Sequence, residues 1–294
     1  MATNIADYIE MNRTYLNEAM VRAIERTSIP SKLKSSMLYS IKAGGKRIRP
    51  ILMFASAEAF GGNKEDVLPA AIALEMIHTY SLIHDDLPAM DDDDLRRGNP
   101  TNHIQFDEAT AILAGDGLLT MAFQVIAEAT SLSPERKVML SNRLSHASGP
   151  SGMIAGQILD LEAEEKQVNL SELEQIHRLK TGELLIFAVE MGAYLAGASK
   201  TTLKLIKEFG HQIGLIFQIQ DDILDIEGDQ NLIGKQVGSD QANDKSTYPK
   251  LLGLEGAIKA KKQHIEIAQN TLKEAGIFES TLADLVTYIS SRDQ

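Results

Sequence analysis

An all-α fold follows from three observations on this chain of 294 residues. Apolar residues recur three and four positions apart, as in Leu68, Ile72, Leu74, Met76 and Ile77, and again in Leu203, Ile206, Phe209, Ile213, Ile216 and Phe217. That is the spacing of a helix face. No run alternates with period two between turn residues, and aromatic residues make up only 5% of the chain, so strands find no support. With 44% hydrophobic and 24% charged residues, the chain is also rich enough to bury a large core, and disorder is excluded.

The breaks between helices can be taken in order. Ala43-Gly44-Gly45 ends one helix, and Pro50, next to Arg49, suits the start of the next, where proline forfeits no hydrogen bond. Further breaks fall at Gly61-Gly62-Asn63, at Arg97-Gly98-Asn99-Pro100, from Ser131 to Pro134, from Ser148 to Gly152, and between residues 228 and 245. They predict about ten helices, several longer than twenty residues. None of the breaks has the composition of a flexible linker, so residues 1–294 read as a single domain. Leu184 to Ala198 is strongly apolar but broken by Glu190, short of the roughly 18 apolar residues of a membrane span, and reads as a buried helix. The first thirteen residues carry Asp7 and Glu10 and lack the basic start of a secretory signal.

Charge narrows the function. With 29 Lys+Arg against 41 Asp+Glu the net charge is -12, which disfavours nucleic acid and anionic lipid as partners. A polyanionic substrate would need a local basic site or a metal. The absence of cysteine removes disulfides, thiolate metal sites and thiol nucleophiles, and fits a reducing, cytoplasmic setting.

Two acidic clusters stand out. Asp85-Asp86-Leu87-Pro88-Ala89-Met90-Asp91-Asp92-Asp93-Asp94 follows the apolar helix Ile72 to Ile83, and Asp221-Asp222-Ile223-Leu224-Asp225 follows the apolar stretch Ile213 to Ile219. Asp221 and Asp225 share one helix face. Carboxylates held near a core need cations. Without thiolates or a histidine ligand pattern, a hard ion such as Mg²⁺ bridging a diphosphate fits better than zinc, the plainer alternative being acidic helix ends paired with Lys and Arg. Ideal helical geometry would place Asp92 rather than Asp91 beneath Asp85, but Pro88 distorts the helix there, so the ligand among them stays open. Basic residues sit beside these features and the glycine breaks: Lys46, Arg47 and Arg49, then Arg96 and Arg97, then Lys180, and finally Lys235 and Lys245. The loop after Gly44-Gly45 leads into a helix N-terminus, which can receive an anion.

Taken together, the chain resembles the trans-isoprenyl diphosphate synthases, and among them the bacterial farnesyl diphosphate synthases. The resemblance rests on Gly44-Gly45-Lys46-Arg47-x-Arg49-Pro50, Glu75-x-x-His78, Asp85-Asp86-x-x-x-x-Asp91 with Arg96-Arg97-Gly98, Gly156-Gln157-x-x-Asp160, Lys180-Thr181-Gly182, Phe217-Gln218-x-x-Asp221-Asp222-x-x-Asp225 and Gly234-Lys235. It implies about ten helices around a deep central cavity, with the two aspartate clusters facing across its mouth. It implies Asp85, Asp91 and Asp221 as Mg²⁺ ligands, supported by Asp86, Asp222 and Asp225, with about three ions bound alongside an allylic diphosphate. Gly45, Lys46, Arg49, His78 and Arg97, with Arg47 adjacent, would receive isopentenyl diphosphate. Arg96, Lys180, Lys235 and Lys245 would receive the allylic diphosphate.

The implied reaction ionises the allylic C–O bond, joins the resulting cation to isopentenyl diphosphate and loses a proton. Thr181, Gln218 and the Lys180 carbonyl would steady the cation. Tyr80 and Ser81, one turn and a little more below Asp85, would form the floor that stops growth at fifteen carbons, giving farnesyl diphosphate. The competing expectations are a geranylgeranyl or other short-chain synthase, a terpene cyclase, disfavoured by Lys46, Arg49 and His78, and a non-catalytic subunit of a heteromeric synthase. A homodimer is the expected assembly, and residues 228–245 are expected to act as a lid.

Overall fold

The computed structural model describes residues 4–164, 166–227 and 246–292, and these are nearly all helical, as the periodicity predicts. Thirteen α-helices and one π-helical turn lie among the described residues, against about ten expected. The surplus comes from pieces too short to show a period, such as Asn102–Gln105 and Leu170–His177. A two-residue antiparallel ladder, Leu95–Arg96 with Asn99–Pro100, also escaped the sequence reading. It closes a turn in which Arg97 and Gly98 both have positive φ. Lys235, Lys245, Gly234 and the expected lid lie outside the described residues.

The helices fall into two compact units. The first takes in residues up to Phe54 and Lys64–Ser141. It contains α1 (Ile5–Glu25), α2 (Ser31–Lys42), most of α3 (Ile48–Ala59), α4 (Lys64–Asp85), α5 (Asn102–Gln105), α6 (Glu108–Glu128) and the start of α7 (Pro134–Ser148). Its centre is α4, packed against α6 and also touching α1 and α2. Val67, Ala70 to Leu74, Met76, Ile77, Tyr80 and Ile83 are all buried, so α4 is apolar on every side and belongs inside. Polar side chains fix the ends of neighbouring helices. Asn4 caps α1 by accepting from the Ala6 amide at 3.1 Å, and Asp107 caps α6 by accepting from the Thr110 amide at 2.8 Å.

The second unit comprises Ala55–Asn63 and the chain from Asn142 onward. After α8 (Met153–Glu164) and α9 (Leu170–His177), which opens with an Asn169–Glu172 capping box, comes the π turn Arg178–Gly182. There follow α10 (Glu183–Leu195), α11 (Lys200–Glu227), α12 (Tyr248–Glu274) and α13 (Thr281–Ser291). The apolar stretch expected to be buried is α10, with Leu184 to Val189 all inside. The long α11 is the hub, touching α10, α12, α13, α9 and the π turn.

Among the described residues two helices, α4 and α6, have the length and composition of a membrane span, a feature the sequence reading did not single out. The apolar residues of α4 are committed to the core. On α6, the outward side mixes Ile112 and Leu113 with Asp116, Thr120 and Gln124.

Candidate active site

In the first unit the site begins at a backbone feature. The loop between α2 and α3 has positive φ at Gly44, Gly45 and Arg47, at 85°, 135° and 54°. Glycine accepts such angles freely and arginine does not, so side-chain contacts must hold Arg47 there. Its Nε donates to Asn17 Oδ1 at 2.9 Å, Nη1 to Glu75 Oε1 at 2.7 Å and Nη2 to the Ile41 carbonyl at 2.6 Å. The side chain is 1% exposed. Of the expected isopentenyl diphosphate residues, Arg47 is thus the one whose guanidinium is given over to protein partners.

Arg49 and Arg97 lie near His78, one turn along α4 from Glu75. Arg49 Nη1 lies 3.2 Å from His78 Nε2. A guanidinium can only donate, so Nε2 is the acceptor and the imidazole is neutral. Burial pushes His78 well below its ordinary value of 6.5, and the charges of Arg49, Arg97, Arg47 and Arg96 push it further. Arg97, itself at φ 54°, donates to the Gly44 carbonyl and lies against Gly45, where a Cβ would overlap its guanidinium. Burial and the charges of Arg47, Arg96 and Arg49 lower Arg97 as well, against the opposing pull of Glu75. Cations crowded this closely suit a polyanion.

A pH dependence follows. The unfolded chain takes up a proton on His78 near pH 6.5, whereas the folded protein does so only at lower pH. Stability is therefore fully present above about 6.5 and declines as the pH falls towards the depressed folded value. His78→Gln should flatten this acid limb in melting curves recorded from pH 7.5 to 5. An unchanged limb would assign it to other groups, of which His211 and His264 are also lowered by burial.

The acid cluster lies at the end of the same helix. After Asp85, the last residue of α4, the chain turns back on itself, and the Asp91 amide donates to the Asp85 carbonyl at 2.9 Å. The loop through Pro88 thus returns the Asp91 backbone to that of Asp85, an approach that ideal helical spacing does not give. Asp86 is 3% exposed and is bound by Arg96, which also lies 3.5 Å from Asp93. Burial raises the Asp86 carboxyl, and Arg96 opposes that shift. Lower on α4, Tyr80 is buried with its ring edge-on to His84 at 5.7 Å, and Ser81 Oγ donates to the His78 carbonyl at 3.0 Å. The Tyr80 hydroxyl has no hydrogen-bond partner among the described residues, and burial and Asp85 push it up to about 12.

In the second unit the expected residues converge on the π turn, whose signature is the Glu183 amide donating to the Arg178 carbonyl five residues back. Such turns often mark functional sites. The turn is gripped from two sides. On α8, Gly156 leaves no room for a Cβ against the Lys180 backbone, and Asp160, one turn along, accepts from Lys180 Nζ at 2.5 Å. On α11, a Cβ at Gly214 would lie 3.0 Å from Gly182 Cα, and Gln218, again one turn along, accepts the Thr181 hydroxyl at 2.8 Å. Gly156→Ala should push α8 off the turn, costing about 1–3 kcal/mol and loosening Lys180. Denaturant titration would show the loss, and unchanged stability would refute the close approach.

Farther along α11, Asp222 is buried and accepts from the Tyr248 amide at 2.9 Å, while Asp221 pairs with Arg292. The Arg292 guanidinium lies 3.9 Å from the Phe217 ring centroid. Asp225 shares this end of the helix. Sequence reasoning gave Asn17, Glu75, Asp160 and Arg292 no role. Glu75, an acid inside an apolar helix, could have been found; Arg292, 71 positions from its partner, carries no local signal.

Both clusters already hold a cation, Arg96 at Asp86 and Arg292 at Asp221, so their donors suit a hard positive ion. No three acid or histidine side chains among the described residues form a metal cage on their own. Mg²⁺ does not require one, since it uses one or two carboxylates with phosphate oxygens and water. A cavity of about 520 Å³ beside Ala55, Lys273 and Phe278 contains none of these groups.

Known proteins resemble the chain over its whole length. The chain is 51% identical to a farnesyl diphosphate synthase of Geobacillus stearothermophilus over 99% of its own length and 98% of that enzyme. It is 48% identical to the farnesyl diphosphate synthase of Bacillus subtilis, with all of both chains covered. A solved FPP/GFPP synthase from Zymomonas mobilis matches at TM-score 0.86 and 34% identity, covering 99% of this chain and 100% of that one. The polyprenyl synthetase family model matches residues 30–285, and with likeness running through sequence and fold alike, this chain belongs to that family.

Proposed function

We propose that the chain is a trans-prenyltransferase that joins isopentenyl diphosphate to dimethylallyl and then geranyl diphosphate, releasing (2E,6E)-farnesyl diphosphate. The observation that carries this reading is the cluster of arginines around neutral His78, with Arg49 Nη1 3.2 Å from its ring, on the helix that ends at the first acidic cluster. In a chain of net charge -12, such a cluster of arginines is a specific device for a polyanion. Relatives named as farnesyl diphosphate synthases at 48–51% identity support the choice.

Lys46, Arg49, His78 and Arg97 bind and orient isopentenyl diphosphate, with Gly45 allowing Arg97 to approach. Arg96, Lys180, Lys235 and Lys245 hold the allylic diphosphate. Mg²⁺ would be held by Asp85, Asp91 and Asp221 with support from Asp86, Asp222 and Asp225, and when bound it neutralises charge on the departing diphosphate. The basic side chains share that task as the allylic C–O bond breaks. Thr181, Gln218 and the Lys180 carbonyl direct partial negative charge at the allylic cation. The double bond of isopentenyl diphosphate, fixed by its own clamp, supplies the electron pair for the new C–C bond, and a proton then leaves to the released diphosphate.

The same proposal takes residues 1–294 as one catalytic domain working in the cytoplasm, in keeping with a chain that has no cysteine. It takes the assembly to be a homodimer, for which the exposed Ile112 and Leu113 on α6 offer an apolar contact. The test is chromatography of products from purified protein, Mg²⁺, labelled isopentenyl diphosphate and each allylic primer. A fifteen-carbon diphosphate is expected. A longer product keeps the enzyme class and removes the Tyr80 floor. No product unless a second chain is added would favour a non-catalytic subunit.

A further inference from the structure

The basic loop carries one cation that cannot serve a ligand. Arg47 stands between Lys46 and Arg49, yet its guanidinium is buried and shared among Asn17 on α1, the Ile41 carbonyl at the end of α2, and Glu75 on α4. Glu75 and His78 are three positions apart on α4 and so occupy one face of it. The contact that pins the loop therefore lands on the helical turn that presents His78.

We propose that Arg47 is a positioning residue for the isopentenyl diphosphate clamp, using Glu75 and Asn17 to hold Lys46 and Arg49 in register with His78 without touching the substrate. The inference rests on the function proposed above. Two further observations favour positioning over simple stabilisation. Arg47 is kept at φ 54°, a conformation that is uphill for any residue with a Cβ, so the loop is held in a shape it would not adopt unaided. The pair is also imperfect for its depth: Glu75 is 2% exposed, and its Oε2 has no hydrogen-bond partner among the described residues. Buried ion pairs often stabilise no better than apolar side chains of similar size, so a stability role alone would not require this one.

The test separates packing from positioning. The double variant Arg47→Met, Glu75→Leu replaces the pair by apolar groups of similar volume, and Glu75→Gln is a milder variant that keeps the shape and an acceptor. Each is titrated with isopentenyl diphosphate alone, without allylic substrate, and its KM for geranyl diphosphate is measured with a melting curve alongside. The expected result is a Kd for isopentenyl diphosphate at least tenfold higher in the double variant and severalfold higher in Glu75→Gln. KM for geranyl diphosphate should stay within twofold. Should the double variant not fold, Glu75→Gln carries the same expectation. An unchanged Kd in a folded variant, or equal losses for both substrates, would overturn the positioning role. Wild-type protein that neither binds isopentenyl diphosphate nor forms a prenyl product would instead overturn the function on which it rests.

Discussion

Replacing Asp85 by Ala should lower the rate of product formation at saturating substrates by about 10³-fold, because one group that stabilises developing charge is worth about 3–4 kcal/mol in a preorganised site. The fold should survive. Asp85 is the last residue of α4, and the helix is anchored by Val67 to Ile83, not by its acidic end. A carboxylate at a helix C-terminus also opposes the helix dipole, so its removal should relieve about 0.3–1 kcal/mol of unfavourable interaction. Acids kept where local energetics disfavour them argue for a role outside stability. Asp221→Ala should lose a similar factor in rate but should also destabilise, because it strips Arg292, whose side chain is 5% exposed, of its carboxylate partner. Asp92→Asn, at an exposed position with φ 51° that asparagine tolerates, is the control and should change the rate by less than threefold. Circular dichroism checks helix content. Turnover of Asp85→Ala within tenfold of wild type would remove the first cluster from the metal site.

The sequence was most informative where a physical rule is local. Helical periodicity located α4 and α11, the apolar run from Leu184 to Ala198 located α10, and the glycine breaks located the loop that turns Arg47 inward. It was least informative where the rule is a distant pairing. Nothing near Arg292 points to Asp221, and nothing near Asn17 points to Arg47. A run reading Lys46-Arg47-x-Arg49 does not reveal which member faces inward; that depends on the positive φ at Arg47 and on the acid in the middle of α4. The π turn was equally hidden. Its residues suit an ordinary helix, and the extra residue per turn becomes visible only through Gly156 and Gly214 pressing on it from either side.

Replacing Tyr80 by Ala should move the main product from fifteen to twenty carbons or more, read by chromatography of the dephosphorylated prenols. Tyr80 lies five positions before Asp85 on α4, about 7.5 Å down the helix axis, with Ser81 one residue nearer the acidic end. Its ring is buried and lies edge-on against His84, and His84 in turn contacts the Ile112 carbonyl at 3.0 Å and fills the space that Gly115 leaves open. On the proposed function, an isoprenoid growing down from Asp85 is expected to stop against this ring. Removing the ring should open room for further isoprene units while leaving the acidic cluster in place, so the change is expected in product length more than in the rate of the first condensation. Deleting a large aromatic from a core also costs about 3–5 kcal/mol, and the assay should run well below the lowered melting temperature. Tyr80→Phe sharpens the reading. The hydroxyl has no hydrogen-bond partner among the described residues, so Phe should keep the fifteen-carbon limit and stabilise the fold slightly. A twenty-carbon product from Tyr80→Phe would show that the hydroxyl, and not the ring, sets the floor, and an unchanged product from Tyr80→Ala would place the floor at another residue.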